Sequence, residues 1–382
     1  MATQSHIPTE LERLGDQAIA VADSLAGRFP LTSNENPTPE SQFRQIMTDL
    51  DFGRHFTDHM AHMRWTRGEG WSQKEVIPFG PLTLTPGASV LHYAQEVFEG
   101  IKAYRHEDGS IWTFRPGFNA ARLNASARRL ALPEMDREDF IASLVDYVRA
   151  DAKWVPGGEG SSLYLRPFMF ASEEFVGVQA ADVVDYYVIG SPSGPYFKAG
   201  FKGVAIWVAK GYHRAGPGGT GAAKCGGNYA ASLLPQIEAA EKGYSQVCFL
   251  DTYEEKYIEE LGGMNMFVVM ANGVVRTPKL TGVILEGGTR SAIIRLLRDQ
   301  GVEVREEQIA FDDLLAGIES GEVAEVFACG TAAVITPISK LGGDGFEIDV
   351  PVGETTKSIH RQITDIQTGR AEDPYGWTYR IV

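Results

Sequence analysis

Apolar and polar residues alternate along the chain in short runs that predict both strands and helices. Residues 76–115 read as strands joined by turns, with His106–Gly109 a hairpin turn between Ile101–Arg105 and Ile111–Phe114. Helices are predicted at 117–131 and 136–151, the second with Asp136 as N-cap, and apolar strands at 162–170 and 183–190. A Ser-, Pro- and Gly-containing segment at 191–203 marks a linker. Strands then follow at 204–209, 246–250, 256–260, 266–270, 302–309 and between 324 and 340, with a short hairpin at Ala271–Gly273. Helices are predicted at 228–242, 290–300, 311–319 and 355–367. The expected fold is α+β, a mixture of α/β elements with a barrel-like or mixed central sheet. The expected organisation is a loose arm over 1–40, a small α/β domain over 41–190, the linker at 191–203 and a larger domain over 204–382.

Composition narrows the function classes. The chain has 382 residues, 43% hydrophobic and 22% charged, as in ordinary soluble proteins, and its net charge of −15 argues against nucleic-acid or anionic-membrane binding. No apolar run reaches the length of a membrane span. The N-terminus carries Glu10, Glu12, Asp16 and Asp23, unlike a signal or transit peptide, so a cytoplasmic location is expected. Three scattered cysteines, Cys225, Cys248 and Cys329, offer neither a disulfide framework nor a zinc site. His55, His59 and His62 have helix-like spacing suggestive of a metal, but no Cys or acidic cluster completes a site, and a structural role is expected.

Chemistry concentrates around Lys224, the only charged residue in AGPGGTGAAKCGGNYAASLLPQI (215–237). A lysine loses its proton readily once desolvated, and small neighbours leave room for Schiff-base chemistry; the competing reading is a solvated lysine on a flexible loop. Ala223 and Cys225 flank it where a phosphate-binding P-loop needs Gly and Ser or Thr. Gly216, Gly218 and Gly221 satisfy a dinucleotide fingerprint only formally, since no strand ends at Gly216 and no helix opens there; a nicotinamide-dependent dehydrogenase rests on that match alone. Gly287–Gly288–Thr289 leads into a helix and reads either as an anion cradle or as a glycine turn with a threonine N-cap. Gly330–Thr331–Ala332 is a second Gly-Thr turn. Glu260 closes an acidic run and is either solvated or a partner for a buried basic nitrogen. Tyr164 and Arg166 share one strand face, as an aromatic wall beside a cation or as a paired structural arginine.

These segments occur together as FTDHM (56–60), LHYAQEVFEGIKAYR (91–105), LYLRP (163–167), SGPYF (193–197), GGTGAAKCGGNYA (218–230), EELGGMNMF (259–267), EGGTR (286–290) and CGTAAVITP (329–337). In number, order and spacing they resemble the branched-chain amino acid aminotransferases, fold-type IV pyridoxal-phosphate enzymes with a smaller N-terminal and a larger C-terminal domain. The resemblance implies that Lys224 is joined to pyridoxal 5'-phosphate and shuttles the proton, that Tyr229 binds the ring hydroxyl oxygen, and that Glu260 keeps the pyridine nitrogen protonated. It places Arg122, Gly288, Thr289 and Thr331 at the phosphate. It places Phe52, Tyr93, Tyr164, Arg166, Tyr196, Thr331 and Ala332 around the substrate, with Arg166 facing the distal carboxylate of glutamate. Val176 and Val178 match a loop reaching the partner subunit's pocket, which implies a homodimer. The implied reaction exchanges an amino group between leucine, isoleucine or valine and 2-oxoglutarate through pyridoxamine phosphate. A D-amino acid aminotransferase and an aminodeoxychorismate lyase are the alternatives within the same fold. Ala333 and Thr336 occupy the positions of a redox-active C-x-x-C found in some members, so thiol regulation of that kind is not expected.

Overall fold

A computed structural model describes residues 6–195 and 201–382. The chain forms two compact units: Thr9–Lys198 with Ala223–Gly226 and Asp365–Val382, and Met1–Pro8 with Ala199–Ala222 and Gly227–Thr364. The first is built on an antiparallel sheet of eight strands among the described residues. Its order is Thr378–Arg380, Ile111–Phe114, Ile101–Arg105, Ser162–Ala171, Val183–Ser193, His59–Thr66 and Gly70–Pro78, with Glu96–Phe98 also paired to Ser162–Ala171. The helices Pro116–Arg129 and Arg137–Ala150 pack on this antiparallel unit's core. Asp136 caps the second helix, as expected, accepting from the amide of Glu138 at 2.7 Å. Ile141, Leu144, Val145 and Val148 are buried in one cluster with Leu163, Leu165, Met169 and Val188; each such side chain contributes about 1.5–3 kcal/mol. Strand alternation leaves the other face to Phe98, Tyr164 and Arg166.

The second unit holds a curled, half-barrel sheet of nine strands among the described residues. Its order is Ile258–Leu261, Gln246–Leu250, Val204–Ala209, Val334–Gly343, Val323–Gly330, Asn265–Met270, Val275–Pro278 and Val304–Glu307, with Phe346–Asp349 also paired to Val334–Gly343. Val204–Ala209 runs parallel to both its neighbours, and most other pairs are antiparallel. The helix Gly288–Asp299 packs on this mixed-sheet unit, its Ile293, Ile294, Leu296 and Leu297 all buried.

Several expectations are corrected. The loose arm is packed from Thr9 onward: Leu25 and Phe29 are each 1% exposed in the antiparallel core. Arg137 binds the carbonyl of Gln17 and Asp146 accepts from the amides of Gly27 and Phe29. The strand 183–190 continues to Ser193, so the expected linker begins as paired strand, Ser191 opposite Tyr164; positions 196–200 of that linker lie outside the described residues. Within 76–115 a short helix, Ser89–Tyr93, replaces one strand. The helix expected at 228–242 is two, Gly226–Ala230 and Leu233–Glu241. The segments Ala223–Gly226 and Asp365–Val382, expected in the larger domain, belong to the antiparallel unit.

Candidate active site

In the antiparallel unit Lys224 is fixed by its backbone: its amide donates to Ser126 Oγ at 2.9 Å and its carbonyl accepts from the amide of Phe98 at 3.0 Å. The side chain is half-buried, with Nζ 4.7 Å from the centroid of the Phe98 ring. The flexible-loop reading therefore fails for this backbone. Arg166 lies against the same ring, also at 4.7 Å. Its Nη2 donates to the hydroxyl of Tyr164 at 3.2 Å, while its buried Nε has no hydrogen-bond partner among the described residues. The structural-arginine reading predicts a carboxylate partner, and none of the ion pairs among the described residues involves Arg166. Phe52 stands edge-on to Tyr164, centroids 4.9 Å apart. Gly100 is required beside them, because a Cβ there would collide with the Tyr164 hydroxyl. Tyr93 donates to the carbonyl of Val176, and Val176 and Val178 are 63% and 88% exposed. Tyr196 lies outside the described residues.

Arg122 is buried and spends two N–H groups on Glu99: Nε to Oε1 at 2.8 Å and Nη2 to Oε2 at 2.7 Å. Asn119 adds a 2.8 Å bond to the same carboxylate, which is fully buried. The pair is charge-compensated and rigid, so the guanidinium has one fixed orientation. No sequence motif marks Glu99; its signal is strand alternation within VFEG, which sends Val97 and Glu99 to one side and Phe98 to the other.

In the mixed-sheet unit a register irregularity between Ile258 and Glu260 turns Glu260 inward. Glu260 is 3% exposed; its Oε2 accepts from the amide of Leu285 at 2.9 Å and lies 2.7 Å from Arg214 Nη2. Arg214 also donates to the carbonyls of Gly221 and Val283, at 2.9 and 2.5 Å. The solvated reading of Glu260 is thus corrected, and Arg214, which no sequence motif marks, is its charge partner. From Leu285 the chain runs directly to the helix Gly288–Asp299. Its N-cap is Gly287, without a side-chain cap bond, so Thr289 is not the cap that one reading expected; it lies buried in the first turn. A Cβ on Gly287 would collide with Asn265 Oδ1. Tyr229 is half-buried beside Gly263. Thr331 and Ala332 form the turn between Val323–Gly330 and Val334–Gly343, and Val334 closes it at φ 59°, a conformation that is strained for a β-branched residue.

Glu259, beside Glu260, is half-buried; burial and then Asp251 push its carboxyl up to about 7. In the folded protein it keeps a proton that the unfolded chain releases near the ordinary carboxylate value, so stability falls as pH rises between about 4.5 and 7. Glu259→Gln is expected to raise unfolding stability at pH 8 by about 1–3 kcal/mol and to change little at pH 4.5, as read from denaturant melts at both values.

His59 and His62 are held within the fold. His59 and His62 lie on a strand, not a helix, and odd spacing sends them to opposite faces. His59 bonds Asp151 at 2.7 Å, and His62 lies between Glu75 and Asp185. Burial opposes charge on His62, but the two carboxylates outweigh it and raise its proton affinity. Among the described residues no cluster of His, Cys, Asp and Glu suits a metal. Burial pushes the thiols of Cys248 and Cys329 up to about 12, which makes them unreactive.

Residues 96–341 match the amino-transferase class IV family. The chain belongs to the class IV aminotransferases. It is 49% identical over 356 residues to a probable branched-chain-amino-acid aminotransferase of Streptomyces coelicolor, covering 92% of this chain and 98% of that protein. It is 44% identical over 351 residues to branched-chain-amino-acid transaminase 1 of Bacillus subtilis, covering 91% and 96%. The crystal structure of the Escherichia coli branched-chain amino acid aminotransferase superposes with a TM-score of 0.70 at 32% identity, over 84% of this chain and all of that one. The branched-chain amino acid aminotransferase of Thermobaculum terrenum, solved in its pyridoxal-phosphate holo-form, gives 0.67 at 25% identity, over 84% and 98%.

Proposed function

We propose that this aminotransferase exchanges the amino group between leucine, isoleucine or valine and 2-oxoglutarate, with pyridoxal 5'-phosphate as cofactor. The chemistry of each unit's donors suits that group: the antiparallel unit offers a primary amine for the aldehyde, and the mixed-sheet unit a buried carboxylate held by an arginine for the pyridine nitrogen and a helix N-terminus with a buried threonine for the phosphate. Bound pyridoxal phosphate supplies a carbonyl that condenses with amines and a ring that draws electrons from the substrate Cα. Lys224 carries the proton leaving and rejoining that carbon. Glu260 holds the pyridine nitrogen protonated, and Arg214 keeps Glu260 anionic. Tyr229 donates to the ring hydroxyl oxygen. Gly288, Thr289, Thr331 and the Glu99-oriented Arg122 hold the phosphate. Thr331 and Ala332 orient the substrate α-carboxylate through backbone N–H groups.

The observation that carries the substrate assignment is the Phe98 ring with Lys224 on it and Arg166 against it, the latter with a buried donor left over. Phe98, Phe52 and Tyr164 offer an apolar wall to a branched side chain, and Arg166 offers a cation to a distal carboxylate, so dissimilar substrates use one face. A homodimer is part of the proposal, supported by the exposed Leu91, Tyr93, Val176 and Val178 around one loop; Tyr196 is placed with them at the substrate by resemblance alone. A cytoplasmic location is proposed too. It is supported by three cysteines left as free thiols, while among the described residues no helix is long and apolar enough to cross a membrane.

Steady-state assays with L-leucine and 2-oxoglutarate test the reading. Arg166→Met is expected to raise the KM for 2-oxoglutarate by about 10–100-fold and that for the oxo acid of leucine far less. Equal effects on both oxo acids, or turnover of D-alanine but not L-leucine, would reject it.

A further inference from the structure

We propose that Glu96 tunes the affinity of Arg166 for a dicarboxylate, so that the balance between a dicarboxylic and a branched aliphatic oxo acid shifts with pH. The proposal rests on the substrate reading above. Glu96 and Phe98 point to the same face of their strand, opposite Phe170 and Phe168 of Ser162–Ala171, and Arg166 shares that face. Val97, between them, is in the core opposite Met169. Glu96 Oε1 accepts the amide of Gly226, which ties the carboxylate to the segment bearing Lys224; a Cβ at position 226 would strike it. Glu96 thus has a fixed place on the face where Arg166 waits with a buried, unsatisfied Nε.

Neither residue neutralises the other by direct contact. Among the described residues no ion pair joins them, and Arg166 acts on Glu96 through space. Burial is the largest influence on Glu96 and raises its carboxyl above the usual range; the Gly226 amide and Arg166 oppose that rise. The segment 223–226 adds Lys224, two residues before Gly226, and the helix Pro116–Arg129, which also packs on Glu96–Phe98, carries Arg122 paired to Glu99, Arg128 paired to Glu134, and Arg129; the strand opposite presents Phe168 and Phe170. Coupling is reciprocal. An ionised Glu96 offsets the Arg166 charge and repels an incoming distal carboxylate, whereas a protonated Glu96 does neither. The side chain of a branched oxo acid has no charge to feel the difference. As pH rises through the raised value, binding of 2-oxoglutarate therefore weakens relative to the oxo acid of leucine.

The test uses the holoenzyme and the ratio of KM for 2-oxoglutarate to KM for the oxo acid of leucine, measured from pH 5.5 to 8.5. Titrations common to both substrates cancel in that ratio. In the wild-type enzyme the ratio is expected to rise about 3–10-fold across the range, a span ordinary for through-space coupling of two half-buried charges. Glu96→Gln keeps an oxygen for the Gly226 amide and should flatten the profile; Glu96→Asp keeps a titrating group and should retain a slope. Thermal melts and spectroscopic dissociation constants for 2-oxoglutarate check that the variants are folded and that binding itself has changed. Parallel wild-type and Glu96→Gln profiles overturn this proposal alone. A wild-type enzyme that transfers no amino group to 2-oxoglutarate overturns the substrate reading and this proposal with it.

Discussion

Replacing Lys224 by alanine is expected to lower transamination by at least about 10⁴-fold, near 5.5 kcal/mol in activation free energy, while the fold is retained. Two chemical roles disappear together. On the proposed roles, the cofactor would lose its covalent anchor and the Cα proton its carrier; a positioned acid–base group alone is worth about 10²–10⁴-fold. The loss should be chemical because the local structure does not depend on the side chain. The Lys224 amide is held by Ser126 and its carbonyl by the Phe98 amide, and both bonds survive truncation. The ammonium's contact with the Phe98 ring is worth only about 0.5–1 kcal/mol at a partly exposed site. The measurements are turnover with L-leucine, the visible absorbance of the cofactor-loaded protein, and a thermal melt. Wild-type turnover in the variant would refute the assignment of Lys224. A collapsed melting temperature would show that the side chain is structural, contrary to the contacts described.

How much of this was legible in the sequence depends on whether the signal was local. Asp136 two and three residues before the amides it caps is a local pattern, and so is the turn at Gly109, whose φ of 87° needs glycine. Lys224 stood out because its neighbours are small and uncharged over many residues. The misreadings came where long-range partners decide. Leu25 and Phe29 sit among polar residues that look like an arm, yet amide bonds donated to Asp146, over a hundred residues away, fix that stretch on the core. His59 and His62 fit a helix by spacing, but pairing with Val183–Ser193 makes the segment a strand. Arg214 was invisible for the same reason: its partner Glu260 is distant in the chain, and no periodicity encodes an ion pair. The inward turn of Glu260 depends on a strand irregularity that alternation alone does not foretell.

Replacing Glu260 separates the electrostatic role of that pair from its structural one. Glu260→Ala leaves the Arg214 guanidinium with about 5% of its side chain exposed and without its ion-pair partner, only the half-buried Glu259 acting on it through space. Breaking a buried pair from one side costs about 3–5 kcal/mol, because the surviving charge keeps its desolvation penalty. The carbonyls of Gly221 and Val283 still accept from Arg214, which favours the lower end of that range. Glu260→Gln keeps the shape and an acceptor for the Leu285 amide, so its stability loss should be smaller, while the charge proposed to hold the pyridine nitrogen protonated is gone. Activity should then fall by about 10²-fold or more in both variants, although their stabilities differ. Arg214→Met reverses the imbalance: it leaves the Glu260 carboxylate buried beside a thioether and drives it toward the protonated form, with an activity loss that deepens as pH falls. The double variant Glu260→Gln with Arg214→Met should recover stability relative to the Arg214→Met single variant without recovering turnover. Denaturant melts and kcat across pH for the three single variants and the double variant provide the check. Full turnover in Glu260→Gln would show that this carboxylate acts only through Arg214, as a fold element with no part in the chemistry.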